Sequence, residues 1–393
     1  MMQKISSRIY SVGVNDNDKV LFEGLWPLPF GVSYNSYLVV DEKVALIDTV
    51  EAGFEEEFLE NIAQTIGERP IDYLIVNHME PDHSSLVGYM LDKYPGLQIV
   101  ANAKTVPMLQ GYYGTPKEKI LVMADGESLS LGGATLSFHM IPMVHWPETM
   151  VTWLQEEQTV FSGDAFGTFG AVNEQITDSE ETFGIYRDEM IRYYSNIVGK
   201  YGTPVQAALK KLAGVRVDRI CSTHGPVWEA CVDQVIALYD KMSRYEVERG
   251  VCLVYGSMYG NTAAAADALA EELEARGIPY AIHDLAGNNE DSLGVSGALR
   301  DVFKYDTVVV GSPTYNGAVY PPVETFMKAL AARNITNRRF FAFGSYTWAQ
   351  ASVRLLNAAA QDLGFTLLGD GMPFPQAYTQ EKCDMAALAE LLR

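Results

Sequence analysis

Residues 77–84 read NHMEPDHS, which places His78, Glu80, Asp82 and His83 within a stretch short enough to form one turn. Imidazole nitrogens and carboxylate oxygens are the donors that bind transition metals, and Pro81 stiffens the segment whose alternate side chains must converge. Three more residues of this kind stand in similar settings: His145 in MVHWPETM, Asp164 in FSGDAFG and His224 in STHGPVW. Each follows an apolar run and neighbours Gly, Pro or another turn residue, as a side chain aimed from a strand end would. The other two histidines, His139 and His283, lack such company and read as core or surface residues. Seven donors are too many for one tetrahedral ion but suit two ions that share a carboxylate. The spacing suggests His78, Glu80 and His145 on one ion, Asp82, His83 and His224 on the other, and Asp164 bridging both.

The elements that must hold these side chains fill residues 1–248. Apolar, β-branched runs such as YNSYLVV, KVALIDT, IDYLIVNH, LQIVAN, ATLSFHMIPMV, TMVTWLQ, TVFSGD and DRICSTHG read as strands. Two helical stretches interrupt them, FEEEFLENIAQTIG and the long TFGIYRDEMIRYYSNIVGKYGTPVQAALKKLAG. Hairpins followed by strand, helix, strand units predict an α+β domain, a mixed two-layer sheet sandwich flanked by helices. DQVIALYDKMSRYEVER is expected to close this domain as a joining helix.

From residue 249 to 393 the rhythm becomes strict strand-helix alternation, the pattern of an α/β doubly wound parallel sheet. Five strands are read: VCLVYGS, PYAIHDL, DTVVVGSPT, FFAFGSY and FTLLGDGMP. The first ends in YGSMYGNTAAAADAL, where Ser257, Met258, Tyr259, Gly260, Asn261 and Thr262 bring hydroxyls and backbone N–H groups to a helix N-terminus, a setting that favours phosphate. Two further loops leave the same sheet edge, GSPTYNGAVYPP with Ser312, Pro313, Thr314, Tyr315, Asn316 and Gly317, and GSYTWAQ with Ser345, Tyr346 and Trp348. Tyr315 and Trp348 are candidates to flank a flat ring, with Thr314, Asn316, Gly317 and Ser345 bonding its polar edge.

Composition bounds the partners. A chain of 393 residues, 48% hydrophobic and 20% charged, is long enough for two packed domains. Its formal charge of -21 argues against nucleic acid, which needs clustered Lys and Arg. No run of apolar residues reaches membrane-spanning length and the N-terminus lacks a signal-peptide pattern, so a cytoplasmic location without membrane contact is expected. The four cysteines, Cys221, Cys231, Cys252 and Cys383, form no C-x-x-C pair, so no iron-sulfur or rubredoxin-type module can be built from them.

The string NHMEPDHS resembles the metallo-β-lactamase superfamily motif, with Glu80 where the hydrolases of that superfamily place a histidine. A carboxylate there is a harder, anionic donor that favours iron over zinc and shifts the expected chemistry from hydrolysis to redox. The second domain resembles flavodoxin, which implies FMN; about 145 residues leave no second nucleotide site for the adenosine half of FAD. Together the halves resemble the flavodiiron protein family, on GVSYNSYLV, NHMEPDHS, HWPETM, GDAFG, RYYSNI, THG and GSPTYN. The resemblance implies two non-haem irons and FMN, and reduction of dioxygen to water, nitric oxide to nitrous oxide, or both. It also implies a head-to-tail homodimer or dimer of dimers. A separate electron donor is expected, such as rubredoxin, another reductase or a reduced soluble cofactor. Glu23, in FEG where many members have histidine, Tyr194 in RYYSNI, and Trp146 beside a ligand are the candidate pocket residues around the metals. Thr347 and Gln350 stand where family members often have glycines. The competing readings are a zinc-dependent hydrolase fused to a flavodoxin-like module, and an electron carrier with a vestigial metal domain.

Overall fold

Among the described residues, 2–173, 175–287 and 292–393 of a computed structural model, the chain forms two compact units. One comprises residues up to Tyr194 together with Tyr201–Asp240, and the other Ser195–Lys200 together with Lys241–Arg393.

The first unit has two principal sheets. Seven strands lie in the order Gln3–Lys4, Ile9–Ser11, Tyr37–Val40, Val44–Ile47, Tyr73–Ile75, Gln98–Ala101 and Ile120–Val122. The first four pair antiparallel and the last four parallel. Five strands make the other sheet: Ser128–Ser130, Thr135–Met140, Met150–Leu154, Thr159–Gly163 and Arg219–Ser222. Alternating side chains of both sheets, among them Val39, Ile47, Ile75, Leu136, Phe138, Met150 and Phe161, meet in one buried core. The metal-type residues leave strand ends, the turn Pro81–Ser84 that follows one of them, or the loop 141–149, so the rigid sandwich sets where they converge.

In the second unit Tyr280–Asp284, Glu248–Tyr255, Tyr305–Gly311, Arg339–Tyr346 and Thr366–Leu367 run parallel in that order, and Met372–Pro375 also pairs with Arg339–Tyr346. The expected fifth strand FTLLGDGMP is thus two short strands. Gly369 and Gly371 both take positive φ, and a Cβ at Gly371 would lie 2.6 Å from the Ala342 carbonyl oxygen. Buried Val251, Leu253, Val309, Phe341 and Phe343 carry the core of one sheet face against helices Asn261–Ala275 and Met385–Leu391.

Two helical expectations change. The long stretch after residue 180 divides into Glu180–Tyr193, a wide turn at Tyr194–Val198 and Gly202–Leu212, because Gly199, Gly202 and Pro204 interrupt a continuous ladder. Within the second unit Arg333 donates to the carbonyls of Ser195 and Asn196 at 2.7 and 3.2 Å. The joining helix is Val232–Ser243 and stops before the strand Glu248–Tyr255, rather than running on to residue 249.

Leu136 has no solvent exposure in the inter-sheet core. Leu136→Ala is expected to cost about 2–5 kcal/mol, read as a lower urea midpoint at unchanged m value; a midpoint equal to wild type would contradict this core assignment.

Candidate metal centre and flavin pocket

The local chain explains how the seven donors are aimed. Asn77, at the root of the motif, is tied down on three sides: its N–H donates to Asp48 Oδ1 at 2.8 Å, its carbonyl accepts from Met150 N–H at 3.0 Å, and its Oδ1 accepts from Thr152 at 2.7 Å. Pro81 starts the helical turn Pro81–Ser84 with Glu80 as its extended cap, so Glu80 and His83 leave opposite ends of a fixed turn. A register shift between Phe161 and Gly163 re-aims the strand end that delivers Asp164. Beside His224, Gly225 has φ +80 and a Cβ there would lie 2.1 Å from Thr168 Oγ1, so the THG turn requires glycine.

These devices gather two sets, His78, Glu80, His145 and Asp164 in one and Asp82, His83 and His224 in the other. In the first, His145 Nε2 lies 3.0 Å from Glu80 Oε2 and 2.9 Å from Asp164 Oδ2, and His78 Nε2 lies 3.3 Å from His145 Nε2. In the second, His224 Nε2 is 3.2 Å from Asp82 Oδ2. Asp164 belongs to both, because its Oδ1 is 3.2 Å from His83 Nε2. One carboxylate therefore turns one oxygen to each set, and the grouping is the one read from the spacing.

The chemistry of these atoms fits cations. Both ring nitrogens of His83, both Asp82 oxygens and His224 Nε2 are buried without a well-aligned hydrogen bond, although Asp82 and Asp164 oxygens face the Nε2 atoms at 3.2 Å, a cost that coordination would remove. Burial favours neutral imidazoles, yet the facing carboxylates outweigh it: His83 rises to about 10 beside Asp82 and Asp164, and His78, His145 and His224 also rise. Against the opposing effect of burial, the histidines hold Glu80 and Asp164 below the usual carboxylate range. In the metal-free chain the facing carboxylates favour protonated imidazoles over neutral ones. The donor set of four imidazoles and three carboxylates, with a shared Asp164, fits two iron ions.

Around the donors, Trp146 stands edge-on to His78 at 5.1 Å and to His145 at 6.1 Å, as a wall of the pocket. Glu23 is an exposed residue whose carboxyl end accepts from Trp26 Nε1 at 3.0 Å and leans on Glu80. Local loss of hydration and the like charge of Glu80 raise it to about 7. Tyr194 packs edge-on against Tyr239 at 5.0 Å, whereas its neighbour Tyr193 packs on His224 at 5.6 Å. Burial, and then the charges of Asp164, Glu80 and Asp82, raise the Tyr193 hydroxyl. Tyr193 is thus the tyrosine set against the donors; adjacent tyrosines in RYYSNI gave no signal to choose between them.

Sequence reasoning also missed three residues behind the donors. Glu148 Oε1 lies 2.7 Å from His78 Nδ1, the Ser33 carbonyl lies 2.8 Å from His224 Nδ1, and buried Asp48 faces His83. Glu148 sits in the quoted HWPETM, where its spacing from His145 was the available signal.

In the second unit a cavity of about 300 Å³ opens at the sheet edge. It is lined by Ser257, Met258, Tyr259, Asn261 and Thr262, by Pro313, Thr314, Tyr315, Asn316 and Gly317, and by Ser345, Tyr346 and Trp348. Thr347, Ala349 and Gln376 join them unforeseen, and Gln376 comes from a fourth loop. Gly260 and Ser312 support the loops instead of lining the cavity. Gly260, at φ +85, precedes helix Asn261–Ala275 and donates to Ser257 Oγ at 3.1 Å; buried Ser312 accepts from Tyr320 N–H at 3.0 Å. Trp348 is 88% exposed and Tyr259 89%, large aromatic surfaces that a flat ring would cover. A helix N-terminus, hydroxyls and aromatic walls fit FMN.

Comparison with known proteins places both halves in one class. The profile described as ODP family beta lactamase matches residues 32–225, and the one described as Flavodoxin matches residues 253–391. The anaerobic nitric oxide reductase flavorubredoxin of Aeromonas hydrophila is 31% identical over 369 residues, covering 92% of this chain and 73% of that protein. The rubredoxin oxygen:oxidoreductase of Desulfovibrio gigas superposes with a TM-score of 0.91 at 27% identity, covering 100% of this chain and 97% of that one. The flavodiiron protein of Giardia intestinalis does so at 0.92 and 27%, with the same coverages. The chain belongs to the flavodiiron proteins. It is an oxidoreductase whose cofactors are a di-iron centre and FMN, and the hydrolase reading is not favoured.

A metal ligand must be a neutral imidazole, whereas His83 of the metal-free chain is protonated at neutral pH. Adding ferrous or zinc ion anaerobically in weak buffer at pH 7 is expected to release protons to an indicator dye, and less in His83→Ala. Metal uptake without proton release would contradict this electrostatic account.

Proposed function

We propose that this flavodiiron protein reduces dioxygen to water, nitric oxide to nitrous oxide, or both, at a centre held by His78, Glu80, His145, Asp82, His83, His224 and bridging Asp164. The observation that carries the reading is Asp164, whose two oxygens face the two donor sets. When bound, two irons and a two-electron flavin store the four electrons that dioxygen reduction requires, and nitric oxide needs fewer. The names of the relatives support both substrates, one a nitric oxide reductase and the other an oxygen oxidoreductase.

The chain's own residues prepare the pocket. Trp146, Phe22 and Tyr193 pack around the imidazoles and exclude water, leaving an apolar setting for a small diatomic substrate. Thr223 donates to Asp164 Oδ1 at 2.6 Å and steadies the shared carboxylate. Tyr193, packed on His224, and Glu23, beside Glu80, are the groups we assign to holding and passing protons. Trp146 is the wall residue, and Tyr194 supports the pocket from behind through Tyr239. FMN is assigned to the loops Ser257–Thr262, Ser312–Gly317 and Ser345–Trp348, with Thr347, Ala349 and Gln376 completing the cavity.

We assign the metal chemistry to residues 1–248 and the flavin to 249–393. A separate donor, such as rubredoxin, another reductase or a reduced soluble cofactor, would deliver electrons to a head-to-tail homodimer or dimer of dimers. Among the described residues no helix is long and apolar enough to cross a membrane, which accords with a proposed cytoplasmic location.

The test is anaerobic purification with iron, zinc and FMN analysis, followed by dioxygen and nitric oxide consumption under a chemical reductant. Iron and FMN with turnover of either gas is expected, and Asp164→Asn should lose iron and most of that turnover. Zinc with hydrolytic turnover, or FMN without metal, would overturn the reading.

A further inference from the structure

We propose that Glu148 is the positioning residue of His78, and that it makes the set of His78, Glu80 and His145 the tighter of the two metal sites. The inference rests on the metal reading above and extends it to which site holds its ion harder.

Glu148 Oε1 lies 2.7 Å from His78 Nδ1 and accepts the Met79 N–H at 3.0 Å, and neither the His78 nor the Glu148 side chain reaches solvent. Asn102 fixes the Glu148 backbone, donating from Nδ2 to its carbonyl at 2.6 Å. With Oε1 accepting from both Nδ1–H and the next backbone N–H, the imidazole is locked in one ring orientation and one tautomer. In its neutral form the ring would carry its proton on Nδ1, leaving the Nε2 lone pair for an ion. That Nε2 points into the cluster, 3.6 Å from Glu80 Oε2 and 3.7 Å from Asp164 Oδ2, where an ion shared with those oxygens would lie.

The second set is backed differently. His224 Nδ1 meets the neutral Ser33 carbonyl at 2.8 Å, and His83 Nδ1 has no hydrogen-bond partner. A buried carboxylate behind an imidazole raises its donor strength more than a carbonyl does, because its charge acts through the ring at low dielectric. At the first position a carboxylate is hydrogen-bonded to the back of the imidazole, whereas at the second buried Asp48 faces His83 without a hydrogen bond to its ring.

The experiment uses the full-length protein loaded anaerobically with two ferrous ions and challenged with an excess of a ferrous chelator. Wild type should release iron in two phases. In Glu148→Gln the amide oxygen can still accept both N–H groups, so geometry is kept while charge is lost. Its slow phase should accelerate about 10- to 100-fold, the usual cost of losing such a partner, with the fast phase unchanged. Leu136→Ala, destabilised in the core, should release iron at wild-type rates, which separates positioning from general loss of stability. A second measurement does not depend on how Glu148→Gln folds: in His224→Ala the iron retained should leave at the wild-type slow rate. Retained iron leaving at the fast rate, or a Glu148→Gln slow phase equal to wild type, overturns the proposal while the metal reading stands. Wild type that takes up no iron overturns both.

Discussion

Four imidazoles and three carboxylates are packed into one desolvated pocket of the first unit. Buried carboxylates without compensating cations are among the most costly arrangements a fold can hold. The metal-free chain meets that cost by raising the pKa values of its histidines, and two divalent ions would meet it more fully while satisfying the orphaned atoms of Asp82, His83 and His224. Much of the first unit's architecture follows from this constraint. Two sheets fix the strand ends, the Pro81 turn separates Glu80 from His83, and Gly225 lets the His224 loop pass Thr168.

The flavin pocket obeys a different rule. At one end, backbone N–H groups and hydroxyls at a helix N-terminus would suit a phosphate, and the exposed aromatic side chains Tyr259 and Trp348 would suit a flat ring. An exposed rim suits a carrier that must exchange electrons with partners, whereas the buried metal cluster suits chemistry from which water is kept out. The two units divide these tasks between a pocket built on charge and one built on loops.

How much of this was legible in the sequence depended on how locally each function is encoded. The seven side chains that converge were readable as candidates because most stand at the end of an apolar run beside a turn residue, and four share one short string. Most of the residues that line the second unit's cavity were readable for the same reason. Glu148 was not singled out: its closeness to His145 in HWPETM was a signal, but its partner is His78, seventy positions away, and only folding brings the two together. The choice of Tyr193 over Tyr194 depends on helical phase just before a wide turn, which periodicity cannot fix to one residue. Gln376 entered the flavin cavity because Gly369 and Gly371 break the last strand and carry the chain back to Tyr346.

In the proposed centre Asp164 joins two iron ions. Anomalous diffraction from anaerobically prepared crystals, collected on both sides of the iron absorption edge, tests it most directly. Two iron peaks are expected, one among His78, Glu80 and His145 and the other among Asp82, His83 and His224, each touching a different oxygen of Asp164. A single peak, peaks that persist below the iron edge as zinc would give, or a metal that leaves Asp164 uncoordinated would contradict it.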